Sequence, residues 1–247
     1  MPISYSTGMV YTKRRLALFL TQRYWNGVLE AETVRSHGLA RLSKYLAVCG
    51  MLAPLAVVAF VLAGASVTPG YDHILNTISQ LSAVDAPHPE WMNAGFISYG
   101  ILMIGLSFSV RQCLAPRTGT TIVWLLVFVH GVGVILTALF PYNAAITEGI
   151  HSIKDASHHL VSIVACVAFI IGMLVMARIV SAEPAWRVVT RLSLVAIATV
   201  SILFVLTLIP VFRDIAGLLQ RISALAMFTY IEALSIRCLT LPHSFYK

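Results

Sequence analysis

Charge is what this chain lacks. Only 11% of its 247 residues are Asp, Glu, Lys or Arg, against 58% hydrophobic, where a soluble domain carries about a quarter charged residues. So few charges cannot clothe a surface that faces water, which excludes an ordinary soluble globule and makes lipid the solvent. Cysteine is scarce as well: Cys49, Cys113, Cys166 and Cys238 are unpaired by spacing, with no CxxC pair and no disulfide framework. A P-loop, a GxSxG elbow, an HExxH pair and a Rossmann glycine pattern are all missing, so no common catalytic motif is on offer. No heptad, tandem repeat or low-complexity segment is present. No series of charged residues threads the apolar segments as an ion path would, so a coupled transporter gains no support, while a small-molecule permease stands as a further alternative to the functions below.

What is present is six apolar segments, each near the roughly 20 residues needed to cross the hydrocarbon core. They fall at about 46–67, 92–110, 121–140, 159–177, 190–209 and 216–236. Pro69-Gly70, Pro87, Pro89, Pro116, Pro141, Pro184 and Pro210 punctuate their ends, while Pro54 sits inside the first. Trp91, Trp124 and Trp186 lie near predicted span starts, as an aromatic belt requires. The fold class expected is therefore all-α, a polytopic membrane protein with a six-helix membrane domain over 45–237. Residues 1–44 form a basic segment that reads either as an amphipathic interfacial helix around Tyr24 and Trp25 or as a basic arm. Residues 238–247 form a short tail.

Lys and Arg orient the spans. Fourteen of the 17 basic residues flank one side: Lys13, Arg14, Arg15, Arg23, Arg35, Arg41 and Lys44, then Arg111 and Arg117, Arg178, Arg187 and Arg191, and finally Arg237 and Lys247. Only Lys154, Arg213 and Arg221 lie on the other. By the positive-inside rule the rich side is cytoplasmic, so both termini are expected inside a cell membrane. The net charge of +7 is thus membrane-orienting and attracts anionic lipid. Nucleic acid is not an expected partner, because no basic, aromatic-interleaved domain lies outside the spans.

The acidic residues and histidines gather on the opposite, outer side. The first outer loop holds Asp72, His73, Asp85, His88 and Glu90; the second holds Glu148, His151, Asp155, His158 and His159. Were the fourth helix to begin early, His151, Asp155, His158 and His159 would sit near ~0°, ~40°, ~−20° and ~80° on one side of it. Imidazoles and a carboxylate on one stripe suit a zinc-like divalent cation. The competing reading is structural: Asp155 caps the helix N-terminus, and His151 is then not helical. The segment Tyr71–Leu81 is amphipathic at helical spacing, either roofing a cavity between spans or forming an ordered loop. Inside the spans, His130 needs internal hydrogen-bond partners. Arg221, one turn from the outer end of the last span, either snorkels, pairs with the outer acids or holds an anionic headgroup. Glu232 has Arg237 or Arg111 as its expected partner.

The stretch 69–100 carries Tyr71, Thr77, Ile78, Ser79, Leu81, Pro87, Trp91, Asn93 and Gly95. In these residues it resembles the bacterial family of six-span membrane proteins called domain of unknown function 998. The phrase LFPYN at 139–143, followed by His158 or His159, is similar too. The resemblance covers about 45–236 and implies six spans without implying an activity. A fainter likeness in the Ile-Ser pattern links the chain to the Frag/DRAM/Sfk group, some of which are tied to lipid remodelling. Two functions follow as expectations. The first is a non-catalytic role as sensor, assembly factor or lipid-associated protein. The alternative is a metal-dependent hydrolase or lipid-modifying enzyme at the outer interface. There His151, Asp155, His158 and His159 hold the metal, Asp72 and Ser79 are the candidate catalytic groups, and Arg221 neutralises a headgroup.

Overall fold

The computed structural model describes residues 38–39, 41–114, 116, 118–140, 143, 153–207 and 209–241. Most of the predicted segment 1–44 lies outside them. The chain divides into two compact units, Met1–Leu42 and Ser43–Lys247, and the architecture below belongs to the second. Among the described residues six helices are long and apolar enough to cross a bilayer. They are α1 (Arg41–Ser66), α2 (Pro89–Cys113), α3 (Thr118–Leu139), α4 (Ile153–Val180), α5 (Arg187–Thr207) and α6 (Ala216–Thr240). Most helices run several residues past the apolar run that announced them. The hydrocarbon thickness limits the run, whereas the helix continues into the interface, where Asp155 starts α4 and Arg111, Arg178 and Arg237 finish α2, α4 and α6. Pro54 is buried inside α1 without ending it.

Large apolar side chains cover the outside of the bundle as well as its core. Leu55 and Leu225 are 64% and 65% exposed, on the lipid-facing surface, while Ser43, Ser107, Ser109, Ser193 and Ser235 are fully buried. Because lipid tails are as apolar as leucine, helices in a bilayer associate through close packing of small residues and internal hydrogen bonds. Both devices are used. Gly100 of α2 and Gly131 of α3 face one another so closely that a Cβ on Gly131 would stand 2.8 Å from the Gly100 carbonyl oxygen. Ser193 and Ser235 return their hydroxyls to the carbonyls of Val189 and Ile231, 2.9 and 2.7 Å away. Each helix from α2 to α6 packs on its successor, and α6 returns to α2. Gly50 and Cys49 set α1 against Ser235 of α6 and Gly105 of α2.

His130 is buried as expected and fully engaged. Its Nδ1–H donates to the Ala165 carbonyl at 3.0 Å, which leaves Nε2 to accept from the Tyr99 hydroxyl, also at 3.0 Å. The ring stacks on Phe169 with centroids 4.4 Å apart. One side chain thus ties α2, α3 and α4 together.

Two pairing expectations need correction. The spacing leaves all four cysteines unpaired, yet a disulfide joins Cys113 and Cys238, whose α-carbons lie 5.5 Å apart. Spacing along the chain cannot show this, because the ends of α2 and α6 meet only through packing. Glu232 forms no ion pair with Arg237 or Arg111 among the described residues. The two guanidinium groups lie instead over the rings of Trp186 and Trp124, at 6.0 and 4.5 Å from their centroids.

Candidate functional site

Six single crossings put the connections α1–α2, α3–α4 and α5–α6 at one end of the bundle, here called the loop end. The first of these connections contains the candidate site. Gly70, at φ +75°, is the only described residue in the left-handed region, and it turns the chain out of α1 where a Cβ would be strained. Asp72 then organises the loop: its Oδ1 accepts the N–H groups of Ile74 and Leu75 at 2.6 and 3.2 Å. Those two donors hold its carboxyl below the usual carboxylate range. Asn76 closes the turn, its Oδ1 accepting from the Asp72 N–H at 2.8 Å. Thr77 donates its N–H to Gln80 Oε1 at 2.7 Å and opens a short 3-10 turn, Ile78–Ser82. Leu81 anchors that turn in the core at 1% exposure.

The helical periodicity of Tyr71–Leu81 is therefore realised as a capped turn plus one 3-10 turn, and this loop is fastened to the start of α6. The first N–H groups of a helix have no partner within it. Here Gly217 and Leu218 donate theirs to the carbonyls of Leu75 and Ile74, at 3.3 and 3.0 Å. Glycine at 217 makes the approach feasible, since an added Cβ would collide with the Asn76 carbonyl. Gln220 accepts the Ile78 N–H at 2.6 Å. Arg221 completes the clasp. Its Nη1 donates to the carbonyls of Asn76 and Gly217, both at 2.9 Å, and its Nη2 to the Tyr71 hydroxyl at 2.7 Å. Tyr71 passes its own hydrogen to the Thr77 carbonyl at 2.9 Å. Burial raises the Tyr71 phenol above its ordinary range, offset in part by the Arg221 bond and charge.

A guanidinium carries five N–H donors. Arg221 engages three of them, so two are left over, and no carboxylate lies within 4.0 Å among the described residues. Beside the clasp, Thr68, Tyr71, Asn76, Gln80 and Asp85 line an open polar depression of about 260 Å³. What the clasp offers is a held cation with two unengaged N–H donors, an arrangement suited to an oxyanion; the depression itself also carries the Asp85 carboxylate.

The other candidates fall in different places. Ser79 is half-buried in the 3-10 turn, where its carbonyl accepts from Ser82 Oγ at 2.8 Å. Asp155 and His158 are buried and hold the chain between α3 and α4. Asp155 Oδ1 accepts the Asn143 N–H at 3.1 Å, and His158 Nδ1 donates to the Phe140 carbonyl at 2.9 Å. His159 is exposed and meets His158 edge to face, with ring centroids 5.6 Å apart. His151 lies outside the described residues. Among the described residues no three His, Cys, Asp or Glu side chains are grouped to hold a metal. Sequence reasoning missed Asn76, Gly217 and Gln220. Gln220 did leave a signal, as a second polar residue beside Arg221 in the first turns of the last span.

Fold and site together define a multi-pass membrane protein of six helices, in contact with lipid, whose loop end is a hydrogen-bonded clasp. Over residues 51–237 the chain matches the model of the family described as Protein of unknown function (DUF998), and it belongs to that family. No curated protein and no solved structure matches it.

Proposed function

We propose that this protein is a non-catalytic membrane protein of the cell membrane, with both termini cytoplasmic. Its loop end, facing out, recognises the phosphate oxyanion of a lipid headgroup. The observation that carries this is Arg221: three bonds fix its guanidinium, two N–H donors are left over, and no carboxylate lies within 4.0 Å of it among the described residues. At the interface such a donor pair fits phosphate in a way a lysine ammonium cannot reproduce. The hydrolase alternative asks His151, Asp155, His158 and His159 to share one ion. The bonds from Asp155 to Asn143 and from His158 to Phe140 favour the structural role for two of them.

The test is a titration of detergent-solubilised protein with dioctanoyl phosphatidylglycerol and, separately, with dioctanoylglycerol, which has the same chains and no phosphate. Binding to the phosphate lipid is expected to be about tenfold tighter, the equivalent of one charge-assisted hydrogen bond. Arg221→Gln should abolish that preference and Arg221→Lys restore only part of it. Equal binding of both lipids by the unmodified protein overturns the proposal.

A further inference from the structure

At the opposite end of the bundle, buried polar atoms stand without partners where α5 meets α6. Arg237 Nε and Thr190 Oγ1 are both buried, and neither has a hydrogen-bond partner. Unpaired buried donors are uncommon enough to need a physical reason. The two atoms lie near the start of α5 and near the end of α6. Trp186, immediately before α5, lies under the Arg237 guanidinium. Ser193, seven residues on, lies beside Tyr230, seven residues before Arg237. At about 100° per residue, positions 186, 190 and 193 share one stripe at ~0°, ~40° and ~−20°. Thr190 therefore lies between two contacts that α5 makes with α6. A threonine in a helix usually returns its hydroxyl to a carbonyl one turn back, and Thr190 does not.

Basic residues outnumber acids at this end: Arg178, Arg187 and Arg191 are exposed there, with Glu183 between them, and no nitrogen of these arginines or of Arg237 lies within 4.0 Å of a carboxylate among the described residues. A group that accepts from a guanidinium Nε–H, bonds a hydroxyl and is drawn by positive charge is an oxyanion. Arg237 is only partly buried, which leaves a way in from the interface.

We infer that Arg237 and Thr190, packed against Trp186, form a second oxyanion site, distinct from the clasp, that takes a phosphate group. Two sources share that chemistry, an anionic lipid headgroup and free inorganic phosphate, and the test separates them.

The full chain is reconstituted in nanodiscs of phosphatidylcholine with one-fifth phosphatidylglycerol, and retained lipid is counted by native mass spectrometry. The phosphatidylglycerol adduct at this site should fall about tenfold in Arg237→Gln and in Thr190→Val, the loss of one hydrogen bond to a charged partner. Arg187→Gln, on an exposed neighbour, should leave it unchanged, as should Arg221→Gln at the far end. Millimolar inorganic phosphate that displaces the adduct assigns the site to the free ion; an adduct that resists it assigns the site to the lipid. Either result supports the oxyanion site. Arg237→Lys serves as the folding control, retaining the charge and a monodisperse protein while losing the Nε–H. Lipid and phosphate retention that is the same in Arg237→Gln, Thr190→Val and the unmodified chain overturns the inference.

Discussion

At the scale of single residues, Arg221 and Tyr71 share one strong bond, and each depends on the other. Removing the phenol hydroxyl in Tyr71→Phe leaves a third guanidinium N–H unbound and deprives the Thr77 carbonyl of its donor. Hydrogen bonds to charged groups are worth about 1.5–3 kcal/mol, so the thermal unfolding midpoint of the detergent-solubilised protein should drop measurably. An unchanged midpoint would deny the clasp its role. Asp72 makes the loop sensitive to acid. Its carboxyl is held low by the Ile74 and Leu75 N–H groups. The stability it contributes is therefore present above the ordinary carboxylate range and is lost as pH falls through the depressed folded value. A nitroxide at His73→Cys, with Cys49 and Cys166 replaced by alanine, should gain mobility on acidification. In Asp72→Asn the label should be mobile to a similar degree at every pH. Of these residues the sequence announced Tyr71, Asp72 and Arg221 through charge and pattern. It could not announce their meeting, since Arg221 and Tyr71 are 150 positions apart.

At the scale of elements, the spans were legible because an apolar run of membrane length is too costly to expose to water and matches the oil it must cross. The helix ends were less so. Polar residues such as Asp155 and Arg178 continue a helix beyond the oil without adding to its hydropathy. The 71–82 loop reads as a helix by periodicity, yet Asp72 and Asn76 bond to local backbone and divert it into turns, a habit of Asx side chains. Its docking is a tertiary event that rests on Gly217. Replacing Gly217 by alanine should force the Asn76 carbonyl away and destabilise the fold by about 1–3 kcal/mol, as overpacking does elsewhere. Proteolysis rates within 72–80 should rise in step. In the bundle itself, a double-mutant cycle of Tyr99→Phe and His130→Phe should give a modest coupling of about 0.6–1.7 kcal/mol. Hydrogen bonds between membrane helices fall in that range because the unfolded helices also find partners.

At the scale of the whole molecule, the proposed placement of both termini on the cytoplasmic side rests on the charge asymmetry of the sequence. The proposed orientation puts the clasp outside and the Arg237 site inside. The Cys113–Cys238 bond pulls the other way, since it lies at the end assigned to the cytoplasm, where thiols are kept reduced. A membrane-impermeant maleimide applied to intact cells should label His73→Cys and should not reach Cys113 or Cys238 even after reduction. The reverse pattern would invert the protein and move the clasp to the inner leaflet. The metal reading is also decided on the whole protein: metal content after purification without chelators should be the same in the unmodified chain and in His158→Ala with His159→Ala.

The central claim, that the clasp presents Arg221 to a lipid phosphate, is tested most directly by solid-state NMR. The distance to be measured runs from lipid phosphorus to arginine side-chain nitrogen in protein labelled at arginine. Charge-assisted N–H···O bonds of about 2.7–2.9 Å place phosphorus about 4 Å from the Arg221 nitrogens. A phosphorus contact at that range, present in the unmodified protein and lost in Arg221→Lys, is the predicted result. Arg221 nitrogens that show no phosphorus within about twice that distance would contradict it.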